Sequence, residues 1–148
     1  MSDFQEQIKR FNDMYSIASN DNPTNLGVTR LDDFINILKE EIEEYKEIRH
    51  NLSLAQDKDL FHTVAMVGLY DLLMDIQVYC ASEARRWGMD NDKGLAAVME
   101  SNFSKLGPDG FPIHDARGKV LKGPNFFPPE EELTSILFPK EAICKRLL

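Results

Sequence analysis

Cysteine, histidine and tryptophan are scarce in this chain, and positive charge is in the minority. The two cysteines, Cys80 and Cys144, lie far apart in apolar segments. Reduced core thiols are therefore expected rather than a disulfide framework, in keeping with a cytoplasmic setting. His50, His62 and His114 are scattered. With no Cys or His pair at ligand spacing, zinc is disfavoured. No GxxxxGK[ST] segment is present, which excludes a P-loop enzyme. Seventeen Lys and Arg face 25 Asp and Glu, a net charge of -8. That balance argues against a binder of nucleic-acid polymers, which needs a basic stripe. It leaves small anionic substrates open, because bound metal ions invert local charge. The opening MSDFQEQIKR is charged and has no apolar export core, so no export signal is expected.

Long hydrophobic runs are also rare, with one exception. TVAMVGLYDLLMDIQVYCAS, 63–82, approaches the ~20 residues a bilayer requires. Its two charges, Asp71 and Asp75, would each cost roughly 2.5–3.5 kcal/mol at mid-membrane. Tyr70, Tyr79, Gln77 and Gly68 weaken the case further, so the expectation is a helix buried in a soluble bundle, with no membrane partner.

What is present fits a single domain over 1–148. Hydrophobic content is 43% and charged content 28%, ordinary values for a globular protein. Phe4, Ile8, Phe11 and Tyr15 fall at helical spacing and predict a first helix over 3–18. The stretch 19–27 reads as a loop. Thr29 with Asp32 resembles a capping box opening a second helix that runs to about 50. After a connector at 51–59 a third helix covers 59–86. Gly88 breaks it, and Asp90 caps a fourth that stops at Lys105-Leu106-Gly107-Pro108. Residues 107–129 are rich in Gly and Pro, with FPIH and KVLK placed to form a small hairpin. The tail 130–148 offers short helices interrupted by Pro139. The whole is an all-α, four-helix-bundle-like fold with a loop-rich C-terminal flap.

The acidic run KEEIEEYKEI, 39–48, splits on a helical wheel. Leu31, Phe34, Ile35, Leu38, Ile42, Tyr45 and Ile48 form an apolar stripe, with Glu41 inside it. Glu44 lies at its edge and Glu40 one step out, while Glu43 and Glu47 face water. A carboxylate aimed inward is costly unless paired, protonated or bound to a cation. Asp71 and Asp75, four apart, repeat the anomaly on the third helix with no Lys or Arg within a turn. Pairing of Glu41 with Arg30 or Lys105 is one solution. A divalent hard cation, Mg²⁺ or Mn²⁺, is the other, and the joint occurrence of the two acidic faces favours it. On the fourth helix Leu95, Val98, Met99 and Leu106 form a stripe with Asn102 in its middle and Lys105 at its edge. That placement suits either a phosphate cradle or a buried Asn bonded to backbone. Trp87 reads as packing; Phe11 and Tyr15 could pack or stack a base.

EEIEE at 40–44 followed by DLLMD at 71–75 resembles the all-α NTP pyrophosphohydrolase superfamily, the MazG-like proteins. The stretch SNFSKLGPDGFPIHDARGKVLKGPNFFPP, 101–129, is similar to a segment typical of phage and bacterial members. The resemblance spans 40–129. It implies a helical bundle assembling as a homo-dimer or tetramer, cytoplasmic, or in host cytoplasm if phage-encoded. Two or more Mg²⁺ or Mn²⁺ ions would serve attack of water on the α-phosphorus of a nucleoside triphosphate, giving monophosphate and pyrophosphate. By motif position, Glu41, Glu44 and Asp75 are metal ligands, with Asp71 and Glu40 as ligands or support. Position 72 is Leu where many members have ExxD, so Asp71 reaches from the preceding position. Glu40 or Glu44 would accept the water's proton. Asn102 and Lys105 would contact phosphate, with Lys122 and Asn125 beside them. Analogy to phage-type members points to dGTP or GTP, then dCTP. The alternatives are phosphoribosyl-ATP pyrophosphohydrolase and a non-catalytic, metal-binding helical partner protein.

Overall fold

A computed structural model describes residues 2–56 and 59–139. The chain is all-α, with six helices among the described residues. Helix α1, Asp3–Met14, is capped by Ser2, whose hydroxyl accepts from the Gln5 N–H at 3.3 Å. It ends at Met14 rather than 18, because Ser16 enters the left-handed region at φ 55. Helix α2, Gly27–Ile42, begins without the expected Thr29–Asp32 capping box. The Asn25 side chain instead accepts from the Gly27 N–H at 2.9 Å, and Gly27 supplies the positive φ of 82 that the turn requires. Thr29 is thus already inside the helix.

The single helix expected to reach residue 50 is divided. Helix α3, Tyr45–Leu54, follows α2 after a joint at Glu43 and Glu44. Both joint residues stay right-handed, with ψ near -21 and -22. The N–H groups of Glu44, Lys46 and Glu47 donate to carbonyls three residues back, at 3.1–3.2 Å. A tight 3₁₀-like turn therefore falls inside the acidic run, the kind of interruption that often marks strain or function.

Helix α4, Leu60–Arg86, matches its expected span and is capped by Asp59. Asp90 caps α5, Asn91–Phe103, as the sequence predicts, accepting from the Lys93 N–H at 3.1 Å. The flap then turns at Gly107, whose N–H donates to the Phe111 carbonyl at 2.7 Å. The small hairpin exists as one antiparallel bridge, His114 with Val120. Helix α6, Glu130–Leu137, opens the tail. The tail's second segment, with Cys144, and residues 57–58 lie outside the described residues.

Helix α4 is the hub, packed along α3 and flanked by α1 and α2. Ile48 of α3 and Leu72 and Ala65 of α4 are buried. A Cβ on Gly68 would sit 3.3 Å from the Ile48 side chain, so glycine permits that close approach. Helix α1 docks through Asn12, fully buried: its side chain donates to the Ser82 carbonyl at 3.4 Å and accepts from the Ser82 hydroxyl at 2.6 Å.

Three expectations on burial are corrected. Helix α4 is not buried in a bundle: it is long and apolar enough to cross a membrane, yet only 17% of its most apolar window is covered. Val67 and Tyr70 are 65% and 67% exposed. Cys80 is exposed rather than a core thiol. On α5 the faces are exchanged. Leu95, Val98 and Met99, and Leu106 just beyond the helix end at Phe103, point outward, while Ala97 and Ser101 are buried. The flap sets this choice, because the Ser101 hydroxyl donates to the Phe127 carbonyl at 2.8 Å, which only a small side chain allows.

Candidate functional site

The last turn of α2, the tight joint and the middle of α4 bring four carboxylates into one neighbourhood. Glu41 is half-buried; Glu44 and Asp71 are exposed, and Asp75 is half-buried. Loss of water is the main cause that raises the Glu41 pKa above its ordinary value. The negative charges of Glu44, Asp75 and Asp71 add to it, and a hydrogen bond from the Tyr79 hydroxyl opposes it. No lysine or arginine is among the main influences. The Tyr79 phenol is raised in turn by burial, then by Glu41.

The alternative of an ion pair for Glu41 finds no support at either named cation. Arg30 is bonded to Glu83, Nε to Oε1 at 3.0 Å and an Nη to Oε2 at 2.6 Å. The Lys105 Nζ donates to Asn102 Oδ1 at 2.6 Å. Glu40 is exposed, and Glu43 pairs with Lys46. So Glu43, on the outward face, is compensated by its neighbour, and no ion pair is seen for Glu41 among the described residues.

The donor set suits a hard divalent ion, being carboxylate oxygen throughout. As the side chains stand, no three His, Cys, Asp or Glu among the described residues are disposed to hold one ion. The acids share a field without converging to coordinating distance. Spaces of about 670 and 450 Å³ lie beside the start of α5 and between α5 and α6, and neither is lined by any of the four acids.

The remaining candidates are dispersed. Asn102, expected to point inward, is exposed, because it rides on the outward face of α5. Lys105 is half-buried at the start of the flap. Lys122 lies over the Phe126 ring at 4.3 Å, and Asn125 is exposed. Phe11 and Tyr15 stack on each other at 4.9 Å with a 51° tilt, and both are exposed. Tyr79 was missed by the sequence reading. Its signal was available: it continues the Asp71, Asp75 row by one more helical turn.

The raised Glu41 pKa predicts a pH effect on metal-free stability. A folded-state pKa above the unfolded value means that the folded chain takes up a proton first. Stability should therefore rise as pH falls from neutrality through that raised pKa, and be lost as pH rises again. Asp59 and Asp90, lowered mainly by backbone hydrogen bonds in one and against desolvation in the other, act only at more acid pH. Melting temperature followed from neutral to mildly acid pH tests this. Glu41→Gln should flatten the rise; an unchanged slope contradicts it.

No family profile matches the chain, and no curated protein matches it either. Among solved structures it is similar to a "putative NTP pyrophosphohydrolase" from Exiguobacterium sp. 255-15, with 21% identity over 99% of this chain and 96% of the other, at a TM-score of 0.46.

Proposed function

We propose that this chain is a metal-dependent nucleoside triphosphate pyrophosphohydrolase of the MazG-like type, converting (d)NTP and water to (d)NMP and pyrophosphate. One observation carries the reading: the negative charges of Glu44, Asp75 and Asp71 all act on Glu41, and no cation is among the main influences on it. The motif EEIEE, then DLLMD, then the 101–129 segment, supports it from the sequence.

Glu41, Glu44, Asp71 and Asp75 would hold two or more Mg²⁺ or Mn²⁺ ions. Such ions, when bound, neutralise the triphosphate and make water a better nucleophile near neutral pH. The protein's own part is position and proton transfer. Glu40 or Glu44, exposed at the edge of the cluster, takes a proton from the attacking water. The water oxygen bonds to the α-phosphorus, the bridging α–β P–O bond breaks, and pyrophosphate leaves. Asn102, Lys105, Lys122 and Asn125 are assigned to phosphate, and the Phe11–Tyr15 pair to the base. Guanine nucleotides, dGTP and GTP, are placed first as substrates and dCTP next.

Pyrophosphate release with Mg²⁺ across a nucleotide panel tests the reading. Release from dGTP or GTP is expected. Release from phosphoribosyl-ATP alone would move the substrate, and metal binding without turnover would make the chain a non-catalytic partner protein. Exhaustive chelation should abolish turnover, with rescue by Mg²⁺ or Mn²⁺. Metal should also raise the melting temperature. An ion at 100 times its Kd stabilises a fold that alone binds it by about 2.7 kcal/mol. Full activity after chelation would sink the metal assignment.

A further inference from the structure

The larger cavity, about 670 Å³, lies at the C-terminal end of α4. Arg85 on its wall is ten positions beyond Asp75, ~15 Å along the helix axis. Its volume is that of a small-molecule site, roughly 300–1,000 Å³. The walls are held by specific contacts. On one side residues 20–24 are tied to the end of α4. The Asn20 N–H donates to the Arg85 carbonyl at 3.0 Å, its side-chain amide to the Arg86 carbonyl at 2.6 Å, and the Thr24 N–H to the Trp87 carbonyl at 2.9 Å. Gly88, at φ 71, permits this approach, since a Cβ there would fall 1.9 Å from the Asn22 carbonyl oxygen. On another side the Gln5 amide of α1 donates to Asp90 at 3.0 Å. The end of α6 adds an apolar side, Ile136 and Leu137 with Phe138 beyond.

Most of the charge around this space is already paired. Asp90 accepts from Gln5 and from the Lys93 N–H, with Lys93 Nζ at 3.4 Å. Asp92 accepts from the N–H and the hydroxyl of Ser2, each at 3.1 Å. Arg85 is the exception. Its side chain is only 19% exposed, and its Nε is closed to solvent with no hydrogen-bond partner among the described residues. Asp21 stands 3.8 Å from an Arg85 Nη, beyond hydrogen-bond reach, and at 93% exposure is screened by water. The Arg86 Nε is also unbonded, but it has the nearly closed Glu83 carboxylate 3.9 Å away.

A covered guanidinium with a donor left over is costly, and an incoming anion removes that cost. Its planar fork matches the paired oxygens of a carboxylate or phosphate. Asp21, Asp90 and Asp92 around the same space oppose a polyanion such as a triphosphate, so a single anionic group is selected. Met89, Ile136 and Phe138 suit an apolar body attached to it.

We propose that this cavity binds a small organic anion, one carboxylate or phosphate monoester group on an apolar, ring-bearing body, with the anionic group on Arg85 and the body against Ile136 and Phe138. The inference stands apart from the proposed activity, because none of the four acids lines the cavity.

The whole chain, in metal-stripped Tris buffer, is titrated with phenylacetate, with phenyl phosphate, and with benzyl alcohol as the uncharged counterpart. The Nε–Hε NMR signal that disappears in Arg85→Gln identifies the guanidinium. In wild type that signal should move saturably with an anion, with a Kd of ~1 mM or tighter, and stay in place with the alcohol. A response to both anions supports the site as stated. A response to one alone also supports it, and names the ligand as a carboxylate or as a phosphate monoester. By calorimetry Arg85→Gln should weaken binding at least ~10-fold, the loss of a charge-assisted hydrogen bond. If Arg85→Gln does not fold, Phe138→Asp takes its place at a 46% exposed position. A carboxylate on the apolar side should abolish binding of either anion by like-charge repulsion. No saturable shift in wild type, an equal response to benzyl alcohol, or unchanged affinity in either folded variant overturns the inference.

Discussion

Asp75→Asn is expected to lower turnover at moderate Mg²⁺ by ~10²–10³-fold, the usual loss when one strong electrostatic contact to the transition state is removed. Asn keeps the volume and removes the charge. Asp75 is half-buried and one helical turn from Asp71, and its field raises the pKa of Glu41. Relieving that repulsion should leave metal-free stability the same or higher. The opposite pattern belongs to a structural ion pair, where loss of the carboxylate would strand a buried cation and destabilise by ~3–5 kcal/mol. Denaturation without metal, measured beside turnover with it, separates the two. A strongly destabilised Asp75→Asn that remained fully active when folded would remove Asp75 from the catalytic site.

The helices themselves were legible where local chemistry decides. Asp90 as a cap and the break at Gly88 follow from short-range rules that hold whatever surrounds them. Glu41's special position was legible too, because the wheel places it among Phe34 and Ile48. The joint at Glu43 and Glu44 was not, since an α-helix and one turn of 3₁₀ share the same residues and nearly the same dihedrals. Thr29 misled because Asn25 and Gly27 met the same need for a helix start first.

The reversed face of α5 has a different cause. Periodicity tells which residues share a face, and Leu95, Val98, Met99 and Leu106 do. It does not tell which face meets the rest of the same chain. The flap takes the side with Ala97 and Ser101, where the backbone approaches closely. A Cβ on Gly123 would fall 1.7 Å from the Leu106 carbonyl oxygen, which shows how tightly the flap returns to the end of α5. Large side chains cannot sit under such a contact, so they are left outward. The same ambiguity governs α4, apolar nearly all round and open on one side.

The contact least visible in sequence carries the second large effect. Arg30 and Glu83 are 53 positions apart, and nothing in their local surroundings marks them as partners. The Glu83 carboxylate accepts two hydrogen bonds from the Arg30 guanidinium and one from the Trp87 indole N–H at 2.6 Å. Both charged side chains are nearly closed to solvent, 16% and 8% exposed. The pair ties the first turn of α2 to the last turn of α4, and so fixes the helix whose other end carries Glu41. Glu83→Ala should destabilise by ~3–5 kcal/mol, because it strands the Arg30 charge and leaves an indole donor unpaired. Replacing both partners, Arg30→Met with Glu83→Leu, should recover much of that loss, since apolar side chains of similar volume avoid the desolvation of two ions. Urea denaturation of the two single variants and the double gives the coupling directly. A Glu83→Ala variant within about 1 kcal/mol of wild type would mean that water screens the pair as it does at an open surface. Because the loss arises in the fold and not at the acids, the variant's metal requirement should be unchanged wherever it is folded.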